Sequence, residues 1–94
     1  MEYTIEVEYL GTIRLLIKKK FDIYTFTTSP TLGLLVQEIG RRYGEGLMKE
    51  CAKLVFVNYA QGSGIGRFYR LPKDDNVLLE ENSIVKILNV ITGG

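Results

Sequence analysis

Ninety-four residues, 46% of them hydrophobic and 24% charged, make one globular domain and are too few for two cores. Twelve basic residues against eleven acidic ones leave a net charge of +1, which argues against nucleic-acid affinity built on phosphate neutralisation. One cysteine and no histidine exclude an internal disulfide, the usual zinc ligand sets, and Ser–His–Asp or Cys–His nucleophiles.

The first segment alternates. Tyr3, Ile5, Val7 and Tyr9 share one face while Thr4, Glu6 and Glu8 share the other, as in a strand with one buried side. Leu10-Gly11-Thr12 reads as a turn. A second alternating run over residues 17–27 sets Phe21 and Ile23 against Lys18, Lys20 and Asp22, predicting an antiparallel hairpin with a short connection. At Ser29-Pro30-Thr31 the period changes, and Thr31 is the expected N-cap. Leu32, Leu35, Val36, Ile39 and Tyr43 follow at three- and four-residue steps, one face of a helix. Gly33 and Gly40 each weaken it by ~1 kcal/mol relative to Ala, so either is a candidate for close packing against a sheet. Arg41 and Arg42 suit the carbonyl end, Gly44 and Gly46 stop the helix, and residues 46–52 have room for one more short helical turn.

Residues 53–59 are rich in β-formers and apolar on both faces, which predicts an interior strand. A glycine-rich loop over 60–66 leads to a short edge strand over 67–71. A polar connection over 72–76 follows, then a tight turn at Glu80-Glu81-Asn82-Ser83 and a last strand over 84–91. The expectation is a single domain over 1–94, with 91–94 as a flexible C-terminal arm. Its fold class is α+β: a mixed sheet of four to five strands with one main helix across one face. First and last strands are expected as parallel neighbours, with the helix on the crossover between them. No signal-like segment opens the sequence, and no apolar run approaches the ~20 residues of a membrane span, so a cytoplasmic protein without membrane partners is the expectation.

The sequence ends Asn89-Val90-Ile91-Thr92-Gly93-Gly94. At a glycine background of ~7%, a terminal pair arises by chance in roughly one chain in two hundred. Position sharpens the signal, because the pair follows a predicted core strand with no linker. The Ser29-Pro30-Thr31-Leu32 start of the helix, Leu54-Val55-Phe56-Val57-Asn58, Ser83-Ile84-Val85-Lys86-Ile87 and the terminal Val90-Ile91-Thr92-Gly93-Gly94 together resemble the β-grasp sulfur-carrier family. That family includes the small subunit of molybdopterin synthase and the thiamine-pathway sulfur carrier, and is related to ubiquitin. Two departures stand out: Asn82-Ser83 replaces the usual Gly-Asp turn, and the loop through Gly62, Gly64 and Gly66 is longer than the usual connection.

The resemblance implies a β-grasp fold and a carrier without catalytic side chains or a bound cofactor. Its reactive group would be the Gly94 carboxylate, with Gly93 beside it. A carboxylate is a poor electrophile until adenylation by ATP supplies a leaving group, and glycine lets the arm enter a narrow site where a β-carbon would clash. The implied partners are an E1-like adenylating enzyme, which uses the ATP, and the large subunit of a sulfur-accepting synthase. Leu88, Val90 and Thr92, with Phe56 and Phe68 extending the patch, would meet those partners. Val85 and Ile87 would then face the helix. A ubiquitin-like modifier and the thiamine-pathway carrier are alternatives with the same terminal chemistry; a β-grasp interaction module is one without it.

Other features carry plainer readings. The Gly62-x-Gly64-x-Gly66 spacing matches neither a dinucleotide fingerprint nor a P-loop, and reads as a hairpin loop. Cys51, beside Lys49 and Lys53, reads as a packed or idle thiol rather than a nucleophile. Lys18-Lys19-Lys20 reads as a solvated strand exterior, with docking of an acidic partner as the alternative. The six tyrosines fit core and sheet surface better than base stacking.

Overall fold

Alternation builds β1 (Tyr3–Tyr9), whose Ile5, Val7 and Tyr9 are fully buried. The computed structural model describes residues 2–44, 46 and 54–89 of the chain. After β1 the backbone reverses at Gly11, with φ 65, and forms α1 (Thr12–Ile17) where the sequence reading placed only a short turn. Six residues are too few to display a helical period. Ile13 and Ile17, four apart, are the buried positions, and Leu15 and Leu16 between them point outward. Lys18 closes α1 in the left-handed conformation, φ 64, its amide donating to the Arg14 carbonyl at 2.9 Å.

β2 (Phe21–Phe26) lies antiparallel to β1, and its faces are the reverse of the sequence expectation. Asp22 and Tyr24 face the core, whereas Phe21 and Ile23 are each 52% exposed. Register decides this. Val7 stands opposite Asp22 and Ile5 opposite Tyr24, so those residues share the inner side.

α2 (Leu32–Tyr43) begins where its cap predicts, with the Thr31 hydroxyl accepting from the Leu34 amide at 3.1 Å. Leu32, Leu35 and Ile39 are fully buried, and burying each such side chain contributes about 1.5–3 kcal/mol. Gly33 is a close-packing position, but against a loop rather than the sheet. A β-carbon there would lie 2.0 Å from the Asp75 carboxylate, and the Gly33 amide donates to the Asp75 carbonyl at 3.0 Å. Backbone bonds from Leu32 to Val77 and from Leu79 to Pro30 strap the segment before the last strand onto the helix start. Gly44, φ 104, ends α2.

β3 (Leu54–Tyr59), β4 (Gly66–Tyr69) and β5 (Ile84–Asn89) complete a five-stranded sheet of order β2-β1-β5-β3-β4. β1 and β5 run parallel at its centre and the other pairs are antiparallel. β3 is interior, with Leu54, Val55, Phe56 and Val57 buried on both faces, and β4 is an edge. Asn82 holds the turn before β5 with φ 59, a conformation asparagine tolerates.

Candidate functional site

β5 is held between two strands, so its course is fixed by both neighbours. Tyr9 of β1 lies opposite Ile87, and the Leu10 amide donates to the Ile87 carbonyl at 2.9 Å. On the other side Val55 lies opposite Leu88 and Leu54 opposite Asn89. Five residues separate Asn89 from the end of the sequence, and the expected site residues Val90, Thr92, Gly93 and Gly94 lie outside the described residues, as does Cys51.

Val85 and Ile87 are fully buried against the core, and Leu88 faces the opposite side of the sheet. There a groove of about 310 Å³ is lined by Val55, Phe68, Arg70, Lys73, Asp74 and Leu88. Phe68, on the edge strand, is 73% exposed. Phe56 is not part of this surface: it lies opposite Ile87 on the inner side, at 2% exposure, and is core. β3 is apolar at consecutive positions, so its sequence does not tell which face Phe56 takes. Val55, Arg70 and Lys73 were missed because only the β3–β5 register and the fold of the 70–74 loop bring them beside Leu88. The Asp74 carboxylate shapes that loop by accepting from the Arg70 amide at 2.8 Å, and Lys73 lies 3.8 Å from it. The apolar spot is bounded on the same face by the Lys86–Glu8 pair at 3.5 Å, with the Lys86 ammonium 5.2 Å from the Tyr59 ring centre.

A second polar constellation sits between the sheet and the end of α2. Asp22 accepts from the Tyr9 hydroxyl at 2.9 Å and from the Tyr43 hydroxyl, and it faces Lys19 at 3.4 Å and Arg42 at 3.6 Å. Tyr9 has one proton and gives it to Asp22, so Tyr24, 2.9 Å away, donates to Tyr9. The Arg42 guanidinium stacks 4.1 Å from the Tyr24 ring centre. Burial pushes the Asp22 carboxyl up, but the hydrogen bonds from Tyr43 and Tyr9 and the charge of Lys19 outweigh it and hold the group below its ordinary value. Burial, with the bonds to Tyr24 and Asp22, raises the Tyr9 hydroxyl far above the usual range. With its oxygens engaged on every side, Asp22 is a structural knot rather than an acid or base open to a substrate. Among the described residues no cluster of three or more histidine, cysteine or acidic side chains is placed to hold a metal.

A parallel β1–β5 centre, antiparallel flanks and a helix crossing one face together define the ubiquitin-like β-grasp fold. The chain is similar to the crystal structure of SAMP1 from Haloferax volcanii, with a TM-score of 0.69 over 97% of this chain and 99% of that one, at 6% sequence identity. At that identity the likeness establishes the fold. No family model and no curated protein matches the sequence. No helix among the described residues is long and apolar enough to cross a membrane.

Proposed function

We propose that this β-grasp protein is a sulfur carrier whose Gly94 carboxylate is adenylated by an E1-like enzyme and then converted to a thiocarboxylate. In the first step a carboxylate oxygen attacks the α-phosphate of ATP and pyrophosphate leaves. In the second a hydrosulfide ion attacks the acyl carbon, a C–S bond forms and AMP leaves, with no change of oxidation state. The thiocarboxylate then donates its sulfur to a synthase large subunit in molybdopterin or tungstopterin biosynthesis.

The observation that supports this reading is the placement of β5. A strand locked at the centre of the sheet carries Leu88 into a groove with Val55 and Phe68, and in the sequence Gly93-Gly94 follows that strand within five residues. A rigid strand gives a partner a fixed handle, and two glycines give its active site a narrow acyl group. The domain contributes docking and presentation while the partner enzymes supply the catalytic groups.

Intact-mass measurement of the protein isolated from its own host tests the reading, the expected result being an oxygen-for-sulfur exchange at the C-terminus. Deleting Gly93 and Gly94 is expected to abolish loading and leave the circular dichroism and melting curve unchanged. Loading that persists after the deletion would sink the proposal. Recovery of the protein joined through its terminus to lysines of other proteins would assign the same activation chemistry to a ubiquitin-like modifier instead.

A further inference from the structure

Four cations, Arg14, Lys18, Lys19 and Lys20, fall within seven residues that contain no acid, leaving eight basic against eleven acidic residues for the rest of the chain. The near-neutral total therefore hides a strong local asymmetry. The structure gives these residues a different setting from the strand exterior expected of them. Arg14 lies on α1 and the three lysines form the turn that follows it. Leu15 is 75% exposed and Leu16 45% exposed on the same short helix. Arg14, Leu15, Lys18, Lys19 and Lys20 line a groove of about 290 Å³. Lys19 pairs with Asp22, and among the described residues no carboxylate forms an ion pair with Arg14, Lys18 or Lys20.

We propose that α1 and its C-terminal turn form a docking site for an acidic amphipathic segment of a partner protein, with carboxylates meeting the cations and an apolar side chain seated against Leu15. Charge complementarity selects the acidic partner, because a local excess of four cations steers and retains an anionic surface. The exposed leucines call for apolar groups on the same segment, since charge alone would leave them in water. Two exposed leucines on a six-residue helix offer less apolar surface than stable membrane anchoring needs, which favours a protein over a lipid surface. Lys18 adds an independent point. It occupies a left-handed helix-end position where glycine is the least strained residue, so a lysine there bears a backbone cost that its side chain's role at this surface would offset. The proposal does not depend on terminal chemistry.

The test is a titration of the ¹⁵N-labelled full chain with a short helical peptide carrying glutamates and leucines at three- and four-residue spacing. Expected are amide shifts confined to residues 12–21 and an affinity that falls as salt is raised. Leu15→Ser and the double variant Lys18→Glu/Lys20→Glu should each weaken binding by about tenfold. Lys18→Gly should weaken it as well while raising the melting temperature, which a purely structural lysine would not do. Each altered side chain is exposed, and circular dichroism checks the fold. The proposal is overturned if no shifts appear, if they lie elsewhere, or if an all-glutamate peptide lacking leucine binds equally well. It is also overturned if phosphatidylserine vesicles or a single-stranded oligonucleotide bind this surface and the peptide does not.

Discussion

Tyr9 donates its hydroxyl proton to the Asp22 carboxylate at 2.9 Å, joining β1 to β2 on the side of the sheet that faces α2. Tyr43 and Arg42 bring the last turn of α2 to the same carboxylate. One acidic group thus ties together two strands and a helix end, and that makes it the most informative place to alter stability.

Asp22→Asn is expected to destabilise the fold at neutral pH by about 1.5–3 kcal/mol, the range for hydrogen bonds to a charged group. Because folding lowers the Asp22 pKa, its contribution is complete above the unfolded value, near 3.8, and is lost as pH falls through the folded value. Urea midpoints of wild type and variant should therefore differ at pH 7 and converge in strong acid. On the alkaline side folding raises the Tyr9 pKa, so that contribution is present below the unfolded value of 10.0 and fades above it. A gap that stays constant down to strong acid would show that the charge does not matter.

Gly66→Ala should destabilise by about 1–3 kcal/mol through overpacking. A β-carbon at Gly66 would stand 2.5 Å from a Val57 methyl and 2.7 Å from the Tyr59 ring. Tyr59 can swing aside, but Val57 is buried and short, so the strand itself must yield. Chemical denaturation checks this, with an unchanged urea slope expected.

Phe68→Ser and Leu88→Ser separate docking from folding. Phe68 is largely in water, so its loss should change stability by no more than about 0.5 kcal/mol. Leu88 is partly buried against Val55, and its replacement should cost more. Both should lower the rate of terminal loading by about tenfold at limiting carrier, and saturating carrier should recover much of it. Loading kinetics with the purified activating enzyme decide the matter, and wild-type kinetics in both variants would remove the groove from the docking surface.

Lys18→Gly should stabilise the protein by about 1 kcal/mol, because glycine adopts the left-handed end of α1 without the steric cost borne by lysine. Thermal melting reads this directly. A lower melting temperature would mean that the lysine stem contributes packing worth more than the strain.

Much of the architecture is legible in local periodicity. The two-residue period of 3–9, the helical period of 32–43, the Thr31 cap and the doubly apolar 54–57 stretch each name an element with little reference to the rest of the chain. Local pattern stops short where a choice depends on a neighbour. Residues 21–26 alternate, and alternation yields two faces without saying which is inner. The pairing of Ile5 with Tyr24 and Val7 with Asp22, and the reach of Tyr9 to Asp22, put a carboxylate inside and two large apolar residues outside.

The same limit explains α1 and the groove at Leu88. Six residues with two buried positions are indistinguishable from the ragged start of a strand, and only packing of Ile13 and Ile17 into the core makes them a helix. Phe56 and Phe68 are equivalent as letters. Tertiary structure sends one into the core opposite Ile87 and leaves the other in water, because register puts Phe56 on the inner face and pairs Phe68 with Val57 on the outer face of an edge strand. Sequence by itself set the inventory of strands and the long helix, whose physics is local. Strand order and register, which are long-range hydrogen-bond pairings, decided which residues meet and which face water.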